Sequence, residues 1–223
     1  MRSLTKKTPK AMLEINGKPL IQHHIENLVR AGIVNITINH SIFGEQIEDY
    51  LHDGEQLGAH ISYSREHDNP LETAGGIAAA LPLLPKTPFI TINADIWTDF
   101  PFQQFETFCC ADSSFTLSGN LAHLILVDNP PHNVAGDFYL DQHKVYNKAP
   151  RRHDLPLLTF SGISVFVPKF FRDCPAGSAP LAPLLQQAVS HGKITADHYH
   201  GVWQDIGTPE RLQSVRQNWQ TPC

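Results

Sequence analysis

The chain has 223 residues, 41% hydrophobic and 17% charged, with 17 Lys+Arg against 22 Asp+Glu for a net charge of −5. That is ordinary material for one buried α/β core, and it argues against disorder. The acidity and the lack of a dense basic run argue against a nucleic-acid surface. No stretch is long and apolar enough to span a bilayer, and Met1–Lys10 has no apolar leader core, so a cytosolic protein with no membrane partner is expected. Cys109, Cys110, Cys174 and Cys223 form no Cys-x-x-Cys pair, so neither a disulfide framework nor a structural zinc is expected. The 13 histidines are scattered and include no His-Glu-x-x-His; they read as surface or core residues, not as metal ligands.

In chain order, the loop-like start ends at Thr8-Pro9-Lys10, and the apolar run Ala11–Ile15 leads to a turn at Asn16-Gly17. Pro19–Ala31 reads as a helix: Pro suits its first turn, Ile21, Ile25, Leu28 and Val29 share a face, and Gly32 stops it. Ile33–Asn39 reads as a buried strand, Phe43–Leu51 as a helix, and His60–Ser64 as a strand. Gly75–Leu84 is an Ala-rich helix opened by paired glycines, and Phe89–Asn93 a strand running into Ala94-Asp95. This alternation implies a mostly parallel sheet flanked by helices.

After Trp97 the rhythm changes. A helix is expected over Phe102–Phe108, a loop over Cys109–Asn120 and a strand over Ala122–Val127. A hairpin is expected from Asp137–Leu140 and Lys144–Tyr146, then a strand at Leu158–Val167, a helix at Leu181–Ser190 and a strand at Gly201–Gln204. Thr208-Pro209-Glu210 has the N-cap, first-turn proline and early acid of a last helix. A single domain over 1–223 with an antiparallel excursion in its second half fits this order.

Four segments could carry chemistry, and each has a plain alternative. Arg2, Lys6, Lys7 and Lys10 make either a solvated basic tail or a phosphate-binding segment, with Arg2 and Lys10 as counter-charges. Asp95, just past a buried strand, is either a turn residue or a carboxylate placed to hold Mg²⁺ against phosphates. Asp205, between Trp203 and the capped helix, offers the same choice. Gly75-Gly76 is either an ordinary loop-to-helix junction or a place where a ligand approaches backbone N–H groups.

Taken together, these segments resemble the sugar-1-phosphate nucleotidyltransferase family. The residues that carry the resemblance are Met1-Arg2-Ser3-Leu4-Thr5 with Pro9-Lys10, Gly17-Lys18-Pro19-Leu20-Ile21, Leu71–Ile77, Asn93-Ala94-Asp95 and Trp203–Leu212. Within the family the similarity is greatest to the branch acting on N-acetylmuramate 1-phosphate. It rests on Ile38-Asn39-His40, Pro70-Leu71-Glu72-Thr73, Asp95–Asp99, His123–Pro130, Gly136-Asp137-Phe138 and Thr159–Ile163.

The resemblance implies a Rossmann-like α/β fold of the GT-A type. It also implies transfer of UMP from UTP to a sugar 1-phosphate with release of pyrophosphate. By position, Asp95 and Asp205 would hold Mg²⁺, and Lys10 and Arg2 would meet the phosphates. Gly75 and Gly76 would lie along the uridine, and Asn93, Asp137, Ser161 and Gly162 along the sugar. Ser3 stands where the family has Pro, and Ala94 where Gly is common. The family pattern also carries a first strand and a Gly-rich loop ahead of the segment matched by Met1. The resemblance therefore leads one to expect a start upstream of Met1. The alternatives are a truncated, inactive or ligand-binding relative, or an enzyme for another sugar 1-phosphate.

Overall fold

The computed structural model describes residues 7–66, 70–108, 113–150 and 154–218. In chain order its strands and helices are β1 (Glu14–Ile15), β2 (Lys18–Pro19), α1 (Leu20–Arg30), β3 (Asn35–His40), α2 (Glu45–Leu51), β4 (His60–Arg65), α3 (Glu72–Ala80), β5 (Phe89–Ile92) and β6 (Ile96–Thr98). There follow α4 (Ser114–Leu117), β7 (Ala122–Val127), β8 (Phe138–Asp141), β9 (Lys144–Tyr146), β10 (Leu157–Phe166), α5 (Leu181–Ser190), β11 (Ile194–His198), β12 (Trp203–Asp205) and α6 (Pro209–Gln217). The chain's contacts group these elements into two compact units that draw on alternating stretches of sequence.

The first unit takes residues 1–70, 93–103 and 201–223. Asn16 and Gly17 both have positive φ, at 50° and 77°. They form the two-residue loop that pairs Ile15 with Lys18, the arrangement Asn-Gly favours in a tight hairpin. Pro19 is extended and caps α1, and Leu20, Ile21, His24, Ile25 and Leu28 form the helix's buried stripe. Gly32, at φ 81°, reverses the chain, and the Ile33 N–H donates to the Leu28 carbonyl at 2.9 Å. β3 and β4 pair in parallel, with Ile38 packed among Ile21, Ile25, Ile47, Leu51 and Ala59. A second cluster joins Leu13, Ile15 and Leu20 to Trp97, Ile206, Leu212 and Val215.

The second unit takes residues 71–92 and 104–200. Among the described residues it holds a six-stranded sheet in the order β5-β10-β7-β11-β9-β8, with β8 also pairing with β10. β7 and β11 run parallel, and the other pairings of this sheet are antiparallel. One face of β7 (Ala122, Leu124, Leu126) packs with Ala196 against Ala74 of α3 and against Leu181, Leu185, Ala188 and Val189 of α5. Phe166, Phe170 and Phe171 interlock beside them, with ring centroids 4.7–5.0 Å apart.

The α/β class stands, but the share of parallel pairing is smaller than the alternation implied, because β5 and β10 pair antiparallel. Helix α3 starts three residues earlier than expected, at Glu72, so Gly75 and Gly76 lie inside it and do not open it. The expected helix over Phe102–Phe108 is a short 3-10 turn at Phe102–Phe105. The polar stretch read as a loop contains α4, capped by Ser113, whose hydroxyl accepts from the Thr116 N–H. β6 and β11 were not foreseen. β6 has only three residues, all buried, so it shows no alternation; β11 alternates over Ile194–Asp197 but has only two apolar residues to show it.

Candidate functional site

In the first unit, β6 and β12 pair antiparallel, with Asp205 opposite Ile96. One residue further along, the Ile206 N–H donates to the Asp95 carbonyl at 2.6 Å. The ladder therefore continues past both strand ends, with the Asp205 backbone opposite Ile96 and the Ile206 backbone bonded to Asp95. The other end is closed by Asp99, whose carboxylate accepts from the Val202 N–H at 2.7 Å. Asp205 is the last residue of its strand and not a turn residue beyond it, so its side chain is fixed by strand register. Behind β6, the edge of His23 packs on Trp97 at 5.1 Å.

Each of the two carboxylates faces a base. Lys10 Nζ lies 2.8 Å from Asp95 Oδ2, with the two side chains 43% and 31% exposed. Arg211 donates through Nη1 to Asp205 Oδ1. Arg211 is carried by α6, whose N-cap Thr208 accepts from the Arg211 N–H at 3.2 Å. A pair as exposed as Lys10–Asp95 contributes about 0–1 kcal/mol to stability. It is cheap to open when a cation takes the carboxylate and a phosphate takes the ammonium. Gly207 has a packing reason: a Cβ there would come well under 3.0 Å from the Arg211 guanidinium and 2.9 Å from Asp205 Oδ2.

The structure thus pairs Lys10 with Asp95 and Arg211 with Asp205, and joins the two strand ends through the Ile206 N–H and the Asp95 carbonyl. Sequence reasoning missed Arg211, although Asp205-Ile206-Gly207-Thr208 with a basic residue in the first turn of α6 was the available signal. Asn93 is exposed on the loop between β5 and β6, and its carbonyl accepts from the Ile96 N–H at 3.4 Å. Arg2 lies outside the described residues, as does the Met1–Thr5 motif.

The other expected site residues belong to the second unit. Gly75 and Gly76 are buried within α3. The Gly75 N–H donates to the Ala179 carbonyl at 3.1 Å, and a Cβ on Gly75 would strike the Gly177 carbonyl. This corrects one expectation: the Gly75 N–H is committed to the protein and is not presented to a ligand. Asp137 accepts from the Phe160 N–H at 2.8 Å and from the Asn133 amide at 3.3 Å. Ser161 is buried, and its hydroxyl accepts from the Ile163 N–H at 3.1 Å. Gly162, at φ 82°, falls where β10 shifts register against β7, a bulge that glycine accommodates.

Also in the second unit, Asp128, His198 and His200 form a group of side chains able to hold a divalent metal ion. The sequence reading had set the histidines aside.

Comparison with known proteins decides the family. The family model described as "Nucleotidyl transferase" matches residues 1–122. The chain belongs to the nucleotidyl transferase family. The chain is 43% identical over 218 residues to the N-acetylmuramate alpha-1-phosphate uridylyltransferase of Neisseria meningitidis, covering 97% of this chain and 91% of that protein. It is 28% identical over 213 residues to the protein of the same name from Caulobacter vibrioides, covering 94% and 88%. Its fold is similar to the crystal structure of HddC from Yersinia pseudotuberculosis, with TM-score 0.74, 22% identity, and coverage of 96% and 91%. No helix among the described residues of this nucleotidyltransferase is long and apolar enough to cross a membrane.

Proposed function

We propose that the chain transfers UMP from UTP to N-acetylmuramate 1-phosphate and releases pyrophosphate, with Mg²⁺ held by Asp95 and Asp205. The observation that supports this reading is the pairing of β6 with β12, which carries the Asp95 and Asp205 backbones on neighbouring ladder positions, with each carboxylate against a basic side chain. The base and the sugar follow those of the uridylyltransferase that is 43% identical to this chain.

Two partly exposed carboxylates on paired strands, each with a cation against it, suit a hard ion that is bound largely through substrate phosphates. When bound, Mg²⁺ supplies neutralisation of charge at the α-phosphate and at the departing pyrophosphate. The sugar phosphate is already an anionic nucleophile, so no general base is required for in-line attack at the α-phosphorus. The protein's part is alignment and charge. Lys10 moves its ammonium from Asp95 to a phosphate oxygen. Arg211 holds Asp205 in the orientation set by β12. Arg2 is assigned to the leaving pyrophosphate. Asn93 in the first unit, and Asp137, Ser161 and Gly162 in the second, are the residues that the family resemblance assigns to the sugar. Gly75 and Gly76 are assigned to the nucleotide side by the family resemblance alone.

A coupled pyrophosphate assay tests this. Turnover should require UTP, N-acetylmuramate 1-phosphate and Mg²⁺ together. Asp95→Asn and Asp205→Asn should each lower kcat by about 100-fold or more, since charge stabilisation of this kind is worth several kcal/mol. Equal turnover of glucose 1-phosphate would remove the muramate assignment, and wild-type kcat in either variant would remove that residue from the metal site.

A further inference from the structure

The sequence Asp197-His198-Tyr199-His200 puts imidazoles two residues apart, on the same side of an extended chain. β11 lies parallel to β7 with His198 opposite Leu126. The Tyr199 N–H donates to the Leu126 carbonyl at 2.8 Å, which carries the ladder past the end of β11. Asp128, two residues beyond Leu126, therefore stands across from His200. His198 Nε2 lies 2.9 Å from Asp128 Oδ1, and the two imidazole rings have centroids 3.8 Å apart. One ligand atom from each of the three side chains lies within 4.8 Å of the others.

An ion pair explains the contact of His198 with Asp128. It does not explain a second imidazole ring turned to the same spot. We propose that Asp128, His198 and His200 bind one divalent transition-metal ion of the Zn²⁺ class. Two imidazole nitrogens and one carboxylate oxygen suit such an ion, whereas Mg²⁺ takes oxygen donors. Around a tetrahedral Zn²⁺ with bonds of about 2.0–2.1 Å, donor atoms sit roughly 3.3 Å apart. The present spacing closes to that by side-chain rotation alone, because Asp128 is 81% exposed and His200 is also exposed. Water fills the fourth position. The backbone beneath is held by the β7–β11 ladder, so the site costs little ordering.

Calorimetric titration of the full chain with ZnCl₂ tests the proposal, with His60→Ala as a control at an exposed histidine of β4. One Zn²⁺ per chain is expected, undiminished by excess Mg²⁺. Affinity should fall about tenfold or more in His198→Ala and in His200→Ala, the scale on which even supporting residues of metal sites act, and should be unchanged in His60→Ala. His200 is exposed, so its variant should keep the wild-type circular dichroism spectrum and thermal midpoint without metal. Wild-type chain that takes up no Zn²⁺, or a folded His200→Ala that binds as the wild type does, overturns the site.

Discussion

Gly75 and Gly207 show how one residue type answers two different demands. At Gly75 the obstruction to a Cβ is backbone, the Gly177 carbonyl and the Ala179 N–H. At Gly207 it is the end of the flexible Arg211 side chain, with Asp205 behind it. Gly75→Ala should therefore cost about 2–3 kcal/mol, as overpacking against atoms that cannot turn aside does, seen as a lower urea midpoint with unchanged slope. Gly207→Ala should cost under about 1 kcal/mol, because Arg211 can swing away, yet lower kcat by loosening Asp205. If the two variants lose equal stability, the distinction fails. Lys10, Asp95 and Asp205 were singled out in the sequence by the family resemblance; read alone, Lys10 could equally sit in a solvated tail and the two aspartates in turns. Arg211 lies only six residues from Asp205 and was passed over, although a basic residue in the first turn of the capped helix was there to be read.

At the scale of elements, α1 is fastened to β6 by a group that titrates. His24 is buried, and burial pushes its pKa down to about 4, opposed by a hydrogen bond with the Ile96 backbone. Among the described residues its Nε2 has no hydrogen-bond partner. The unfolded chain takes up this proton near pH 6.5 and the folded chain only near pH 4. Between those values the unfolded state binds more protons, so stability is lost as pH falls through the window, by roughly 3 kcal/mol over its full width. Urea unfolding at pH 7 and pH 5 should show this loss in the wild type and much less of it in His24→Gln; an unchanged pH slope in the variant would assign the loss elsewhere. The helical stripe of α1 was plain from its 3–4 spacing, and the Asn16-Gly17 hairpin from its turn chemistry. β6 and β11 were hidden because strands this short become strands through their partners, not through their own periodicity. With β11 unseen, nothing in the sequence could bring His198 and His200 to Asp128.

On the scale of the molecule, neither unit is a continuous piece of chain. β5 and α3 come from residues 71–92, yet the Phe89 and Ala74 side chains belong to the same apolar cluster as β7, β10 and α5. A fragment of residues 104–200 should therefore fail to fold, showing little native ellipticity and no dispersed amide spectrum, and should recover when residues 71–92 are supplied in trans. A well-folded fragment alone would refute this. The α/β class was readable from the alternation of elements, but the interleaving was not, because long-range pairing leaves no mark on local sequence. The Asp99–Val202 contact closes a span of 103 residues. At synthesis rates of about 5–20 residues per second, that span takes roughly 5–20 s to emerge from the ribosome. During that time the nascent chain already carries Lys10 and Asp95, which the folded chain pairs at 2.8 Å, while Asp205 and Arg211 are still to be made; the matching pair is added only as synthesis ends.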